Sequence, residues 1–492
     1  MIHRPHVDWL AIAPSNALLA AAAIVLLASV FLPRSARRPF SAMVCAIGFV
    51  VAFVFAAVLY SHGAVPHEEI AAAMRRDRFG AIAQLIVAGS GLLAVGLSYG
   101  ERSSEDHIGE YYAILAATGA GMAFFVTANN LMTLFLSLEW FSIGLYVLCA
   151  IDRELLGALE AGLKYLIVGG FGSAVLLFGS ALVYGATGSL RFGGIAQAVS
   201  TQHLDRNVLL LVGLAMIISG LGFKASAAPF HMWTPDVYQG APTPVTAFMA
   251  AATKTVALVV AFRLLVTAFP QEEHLWSVTL AAVACASLAV GNFAALVQRN
   301  VKRMLAYSSI SHAGFMLIPL STGSELGGKA LLYYLVPYSA MSLGAFGVVA
   351  ARERELGVAV TLDNLAGLGW ERPFLGFSLA AFMFGFVGFP LSGGFVGKFY
   401  AFAAAYRHGW TWLVIVGVMA TLVSLYYYLA VIRALFMRSA AELQLAPIGG
   451  APPPERVLQA TVLACLAIVV GSFFAVQPLI DLAGHASRSL PL

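Results

Sequence analysis

The sequence predicts an all-α polytopic membrane protein, on three observations. Of its 492 residues, 60% are hydrophobic and only 11% are charged, whereas a soluble chain carries about a quarter charged residues. The mean hydropathy is +0.86. Apolar runs of about 18 residues or more, each enough to cross a bilayer as a helix, recur from end to end. The longest stretches between runs, around 61–78, 187–206 and 351–373, are too short for a soluble domain. The chain, 1–492, therefore reads as a single membrane domain.

About fourteen spans are expected, centred near residues 21, 50, 89, 120, 140, 173, 218, 254, 286, 311, 339, 389, 422 and 468. The first is not a signal peptide, because its basic cluster "PRSARRP" follows the apolar run instead of preceding it. The fourth and fifth are nearly continuous, so Asn129 and Asn130 mark a tight turn between them. With the N-terminus outside, the inward loops hold the larger share of Lys and Arg. The densest inward groups are Arg34, Arg37 and Arg38; Arg299, Lys302 and Arg303; and Arg352, Arg354 and Arg372. The exception is "MRRDR" at 74–78, which falls outside. An even number of spans then leaves both termini on the periplasmic side.

Several function classes drop out. The net charge of +4 belongs to loop residues and does not indicate nucleic acid. Cys45, Cys149, Cys285 and Cys465 lie singly in four spans, with no spacing for a disulfide framework, zinc or an iron–sulfur cluster. The patch "GGFGSA" (169–174) lacks the strand–turn–helix setting of a nucleotide site and reads as close helix packing. No Walker lysine is present, so ATP is not the direct driver. Two histidines lie deep in spans, which is weak ground for a haem without further pairs.

What remains is ionisable residues inside the apolar runs: Glu139, Lys164, Lys224, His231, Lys254, His312 and Lys398. A charge at mid-bilayer costs about 2.5–3.5 kcal/mol, and such residues usually face a bundle interior or water. Lys164, near a span end, also reads as a snorkelling lysine, as does Arg263. His231 and His312 also read as satisfied bundle histidines. Glu139, Lys224, Lys254 and Lys398 are harder to assign to structure alone.

Lys224 and His231 are spaced to share one helical face, with Pro229 between them breaking the seventh span. The twelfth repeats the device, with Pro390, Ser392, Gly393 and Gly394 just before Lys398. Irregular backbone at membrane depth is tolerated where it is buried in protein or lines a hydrated cavity. Counting five spans per unit makes spans four to eight (108–268) and nine to thirteen (274–438) inverted repeats, each with its fourth member broken. A three-helix segment (1–105) precedes them and a final helix (455–482) follows. Glu139 and Lys224 are read as an ion pair whose opening changes the lysine's proton affinity, since burial disfavours an ammonium and a carboxylate restores it. Lys254 and Lys398 are successive acceptors, with His231, His312, Tyr307 and water bridging the gaps.

The stretch "PFHMWTPDVYQGAPTPVTAFMAAATK" (229–254) resembles the signature of the antiporter-like membrane subunits of respiratory complex I (NADH:quinone oxidoreductase), its subunit N branch above all. "RNVKRMLAYSSISHAGF" (299–315) matches the same superfamily, to which the Mrp-type cation/proton antiporters also belong. The resemblance covers essentially the whole chain. It implies a Glu139–Lys224 pair, a central Lys254 and a terminal Lys398 along a proton path, with Lys164, His231 and His312 accessory. It implies no cofactor on this chain, with NADH, FMN, iron–sulfur clusters and quinone in partner subunits. It also implies a large hetero-oligomer with other antiporter-like and small membrane subunits in the bacterial inner membrane. Gln239 stands where the family often has Glu. The alternatives are a stand-alone or Mrp-type Na+/H+ antiporter, which needs clustered oxygen ligands, and a passive scaffold whose charges hold neighbouring subunits.

Overall fold

The computed structural model describes residues 7–63, 65–101, 107–438 and 455–492, and most of them are helical. Three helices come first: α1 (Ala13–Phe31), α2 (Arg34–His62) and α3 (Arg78–Ser98). Between α2 and α3 the chain forms a short antiparallel hairpin, β1 (His67–Glu69) and β2 (Met74–Arg76), with Glu68 opposite Arg75. Asp77 then caps α3, accepting the Gly80 N–H at 2.7 Å.

The next group runs α4 (Ile108–Phe125), α5 (Leu131–Cys149), α6 (Leu156–Thr187), α7 (Phe192–Gln202), α8 (Val208–Lys224), α9 (Trp233–Gly240), α10 (Thr243–Phe248) and α11 (Lys254–Ala268). The α4–α5 joint is the expected tight turn. Asn130 caps α5 by accepting the Thr133 N–H at 2.6 Å, and the Asn129 amide donates to Glu68 of the hairpin at 3.1 Å. A second group follows: α12 (Glu273–Leu296), α13 (Val301–Leu320), α14 (Glu325–Leu356), α15 (Leu368–Glu371), α16 (Pro373–Val387), α17 (Gly393–Arg407) and α18 (Thr411–Met437). Then come α19 (Arg456–Phe474) and the amphipathic α20 (Val476–Ser487).

Among the described residues, ten helical segments are long and apolar enough to cross a membrane, with α8 and α16 apolar but shorter. A helix stands at every expected span centre except 389, which falls in the break between α16 and α17. The joints that the sequence reading places near 105 and after 438 abut stretches outside the described residues.

Helix packing follows the small residues. A Cβ at Gly213 would lie 2.8 Å from the Gly179 carbonyl, so α6 and α8 cross with their backbones nearly touching. Gly169 and Gly172 of the "GGFGSA" patch lie against the Tyr146 and Phe223 rings, where a Cβ would clash. The segment Thr243–Ala268 is buried throughout and forms the centre of the bundle, Lys254 and Arg263 included. Around it α14 acts as a hub, touching α3, α10, α13, α16, α17, α19 and α20.

Charges collect at two opposite faces. At one, the Arg38 guanidinium donates to the Glu101 carbonyl at 2.6 Å, Arg354 pairs with Glu101 at 2.6 Å and with Glu455, and Arg352 and Arg372 share Glu355. At the other face stands the hairpin. Asp8 pairs with Arg76, and Arg75 donates to the Ser489 carbonyl at 3.0 Å, so both described ends of the chain lie on this side.

Arg263 corrects the snorkelling reading. It is fully buried on α11 and pairs with the equally buried Asp77 at 2.6 Å, because the hairpin brings that carboxylate to the α3 terminus beside it.

Candidate functional site

Lys224 is the last residue of α8 and only 1% exposed. The helix stops there and resumes at Trp233, with the segment around Pro229 as the break. Protein groups satisfy the freed backbone: Trp233 Nε1 donates to the Phe223 carbonyl at 3.1 Å, and the Ala228 N–H reaches Ser287 Oγ at 2.9 Å. The ammonium lies among the rings of Phe141 and Tyr146, each 5.5 Å away, and Tyr165, 5.2 Å away, an apolar but cation-tolerant cage. It has no hydrogen-bond partner among the described residues, and neither does the buried Oε1 of Glu139. Among the described residues no salt-bridge contact joins Glu139 and Lys224. The expected ion pair therefore stands open in this structure.

Lys254 is wholly buried and its ammonium is likewise unpartnered. It begins α11 directly after a π-helical turn, Met249–Thr253. Such turns admit one extra residue, re-aim the side chains that follow, and occur often at functional sites. The sequence reading of this span has no such feature.

Lys398 on α17 is 4% exposed and lies 4.1 Å from the centre of the Phe315 ring. Its Nζ donates to the Val387 carbonyl at 3.0 Å and to Thr421 Oγ1 at 3.5 Å. Val387 ends α16, so the cation binds a carbonyl that has no intrahelical partner, at the negative end of a half-helix. Lys224 also stands at a half-helix end, in the last turn of α8, but its ammonium takes no carbonyl there.

His312 is a further buried ionisable residue. It is 1% exposed on α13, its Nδ1 lies 2.9 Å from the Tyr334 hydroxyl, and its Nε2 lies 3.2 Å from that of Tyr428. Tyr428 is bonded in turn to Ser308, Tyr338 to Ser309 at 3.0 Å, and Tyr427 to Asn292 at 3.0 Å.

Three expected members lie elsewhere. Lys164 is 43% exposed and pairs with Glu160 at 2.7 Å and Asp236 at 2.9 Å; Asp236 also holds Arg303 at 2.6 Å. This is a surface cluster near the start of α6, which matches the snorkelling alternative. His231 lies in the break, half-buried between exposed Pro229 and Met232. The helical spacing that aligned it with Lys224 lapses because the helix ends at Lys224. Tyr307 stacks with Arg303 of the surface cluster, 5.9 Å from ring centre to guanidinium.

The sequence reading missed Tyr334, Tyr338 and Tyr428. A signal was present: Tyr334 and Tyr338 stand four apart on one helical face inside an apolar run, and "YYY" at 426–428 interrupts another.

Residues 128–424 match the family described as NADH:quinone oxidoreductase/Mrp antiporter, TM. The chain belongs to this family. Within it, a relative from Salinibacter ruber called NADH-quinone oxidoreductase subunit N is 43% identical over 421 residues, 84% of each chain. A Roseiflexus castenholzii relative, subunit N 2, is 38% identical over 97% of this chain and 96% of its own. Among solved structures, a chain of respiratory complex I from Thermus thermophilus is 32% identical with a TM-score of 0.78, covering 95% of this chain and 99% of its own. A chain of the Mrp complex from Dietzia is 20% identical, covers 98% of this chain and 97% of its own, and has a TM-score of 0.85, a likeness of fold. The family match spans Glu139, Lys224, Lys254, His312 and Lys398, and leaves Asp77 and the hairpin outside it. The chain is a multi-pass membrane protein of this family.

Proposed function

We propose that this chain is a proton-translocating membrane subunit of a bacterial inner-membrane NADH:quinone oxidoreductase, driven by quinone reduction in partner subunits. The observation that carries this reading is the set of three buried lysines with no carboxylate in contact among the described residues, in a bundle that also holds the buried His312 between two tyrosine hydroxyls. NADH, FMN, iron–sulfur clusters and quinone belong to the partners, other antiporter-like and small membrane subunits.

In this reading Glu139 and Lys224 open and close as a switch. Closing holds the proton on the ammonium, and opening leaves a desolvated cation that gives it up. The proton passes to Lys254, then through His312 and the flanking hydroxyls, which both donate and accept, to Lys398. Lys164 and His231, off this row, are points of exchange with the surface. The helices make about fourteen spans, with both termini periplasmic. α4–α11 and α12–α18 are inverted repeats, supported by the equal 32-residue lengths of α6 and α14 and by a broken helix in each. The boundaries 1–105, 108–268, 274–438 and 455–482 follow from that division.

The test is NADH-driven acidification of inverted membrane vesicles carrying Lys254→Met or Glu139→Gln. Assembled enzyme with pumping reduced about tenfold or more supports the reading. Lost assembly with normal pumping per remaining complex would support the scaffold, and acidification that requires sodium would support the antiporter.

A further inference from the structure

A cleft of about 380 Å³ opens between α2, α3, α14, α19 and α20. Phe53, Ile86, Leu93, Val336, Leu343 and Ile468 are among its walls. Three of the hydroxyls that line it are turned to protein: Tyr60 to the Leu482 carbonyl at 3.0 Å, Tyr333 to the Ser472 carbonyl at 2.7 Å, and Ser339 toward Thr255 at 3.5 Å. A cleft of this size with such a lining takes an apolar occupant.

Depth and charge narrow the occupant. Along α3 the cleft runs from Ile82 to Leu93, a rise of about 16 Å, or one leaflet of a hydrocarbon core about 30 Å thick. It starts at the hairpin face, where Tyr60 and Ile82 lie at the end of α2 and the start of α3. There Arg78 donates its Nε–H to the Tyr60 carbonyl at 3.1 Å and lies over the Tyr60 ring at 5.3 Å. Among the described residues no carboxylate pairs with Arg78, in contrast to its neighbours Arg75 and Arg76. One unpaired guanidinium at headgroup level, above a slot one leaflet deep, is matched by a phosphate joined to an acyl chain.

We propose that this cleft is a binding site for an anionic phospholipid, its acyl chain lying along α3 and α14 and its phosphate held by Arg78. The site is independent of the proton path, although its floor touches Thr255, next in sequence to Lys254.

The test uses the assembled complex in native membranes supplied with phosphatidylglycerol or phosphatidylcholine carrying a diazirine on the acyl chain, with cross-links mapped by mass spectrometry. Wild-type complex should be labelled on α3 and α14, more strongly by phosphatidylglycerol. Gly89 lines the cleft and a Cβ there meets only Phe53, at 3.9 Å, so Gly89→Phe fills the slot and should cut that labelling about tenfold. Arg78→Gln should reduce the headgroup preference about threefold while leaving chain labelling in place. Labelling unchanged in Gly89→Phe, equal labelling by both lipids in the wild type, or cross-links from α3 and α14 to another protein chain would each overturn the proposal. The wild-type map and its headgroup preference need no variant, so a variant that fails to assemble leaves the site decidable.

Discussion

A buried lysine with no acid beside it has to be held some other way. Here half-helices do it: Lys398 takes the terminal carbonyl of α16, and Lys224 sits in the last turn of α8 among three aromatic rings. His312 depends on hydroxyls alone, so its neighbours decide whether it relays a proton. Tyr428→Phe removes the partner at Nε2 but keeps the ring packed against Phe386. It should slow NADH-driven pumping severalfold without loss of assembled complex, and His312→Ala should slow it more; equal rates in wild type and both variants would exclude the relay. The lysines were legible in the sequence because charge in an apolar run is conspicuous. The tyrosines were not, because a phenol counts as apolar in a hydropathy window and only its bonding, visible in three dimensions, separates it from a core ring. The pairing of Lys164 was not legible either: its position in sequence says nothing of Asp236, 72 residues away, with which it pairs at the surface.

At the scale of elements, three helices are interrupted in three ways. Pro229 and Pro390 announce two of the breaks, and both fall where the sequence predicts them. The π-helical turn before Lys254 has no such punctuation: "MAAAT" is ordinary helix-forming sequence, and the extra residue is accommodated by packing around a segment buried on every side. Deleting Ala251 should remove the residue that the wide turn absorbs and let the segment close as regular α-helix, which moves the side chains of that turn and of Lys254 beside it. Lys254 then leaves its position relative to His312. The expected result is assembled complex with pumping reduced as strongly as in Lys254→Met, measured in the same vesicle assay; normal pumping would show that the turn has no part in aiming the lysine. The break after α16 relies on Gly388, whose φ of +85° suits glycine. A side chain there would also approach Lys398 Cδ to 3.1 Å. Gly388→Val should therefore weaken pumping through strain and displacement together.

For the whole molecule, the informative contact is the one made by Arg263. Sequence position suggested a side chain reaching for water, and nothing in the apolar run around it pointed to a partner 186 residues earlier. The hairpin supplies Asp77, and the pair fastens α3 to the central α11. Removing one partner leaves an unpaired buried charge, so Arg263→Leu or Asp77→Leu alone should destabilise the fold by about 3–5 kcal/mol, whereas replacing both with apolar residues of similar size should cost far less. Thermal inactivation of the detergent-solubilised complex would read this out, and single and double variants of equal stability would refute the pairing.

That pair also limits how this chain can be shortened. The first three helices could be taken for a detachable preface, since the match to the family begins only at residue 128. Yet the residue that caps the third is, among the described residues, the one carboxylate that answers a guanidinium at the centre of everything downstream. A version beginning at α4 would inherit the question without its reply, and would hold together only if position 263 had already exchanged arginine for something neutral.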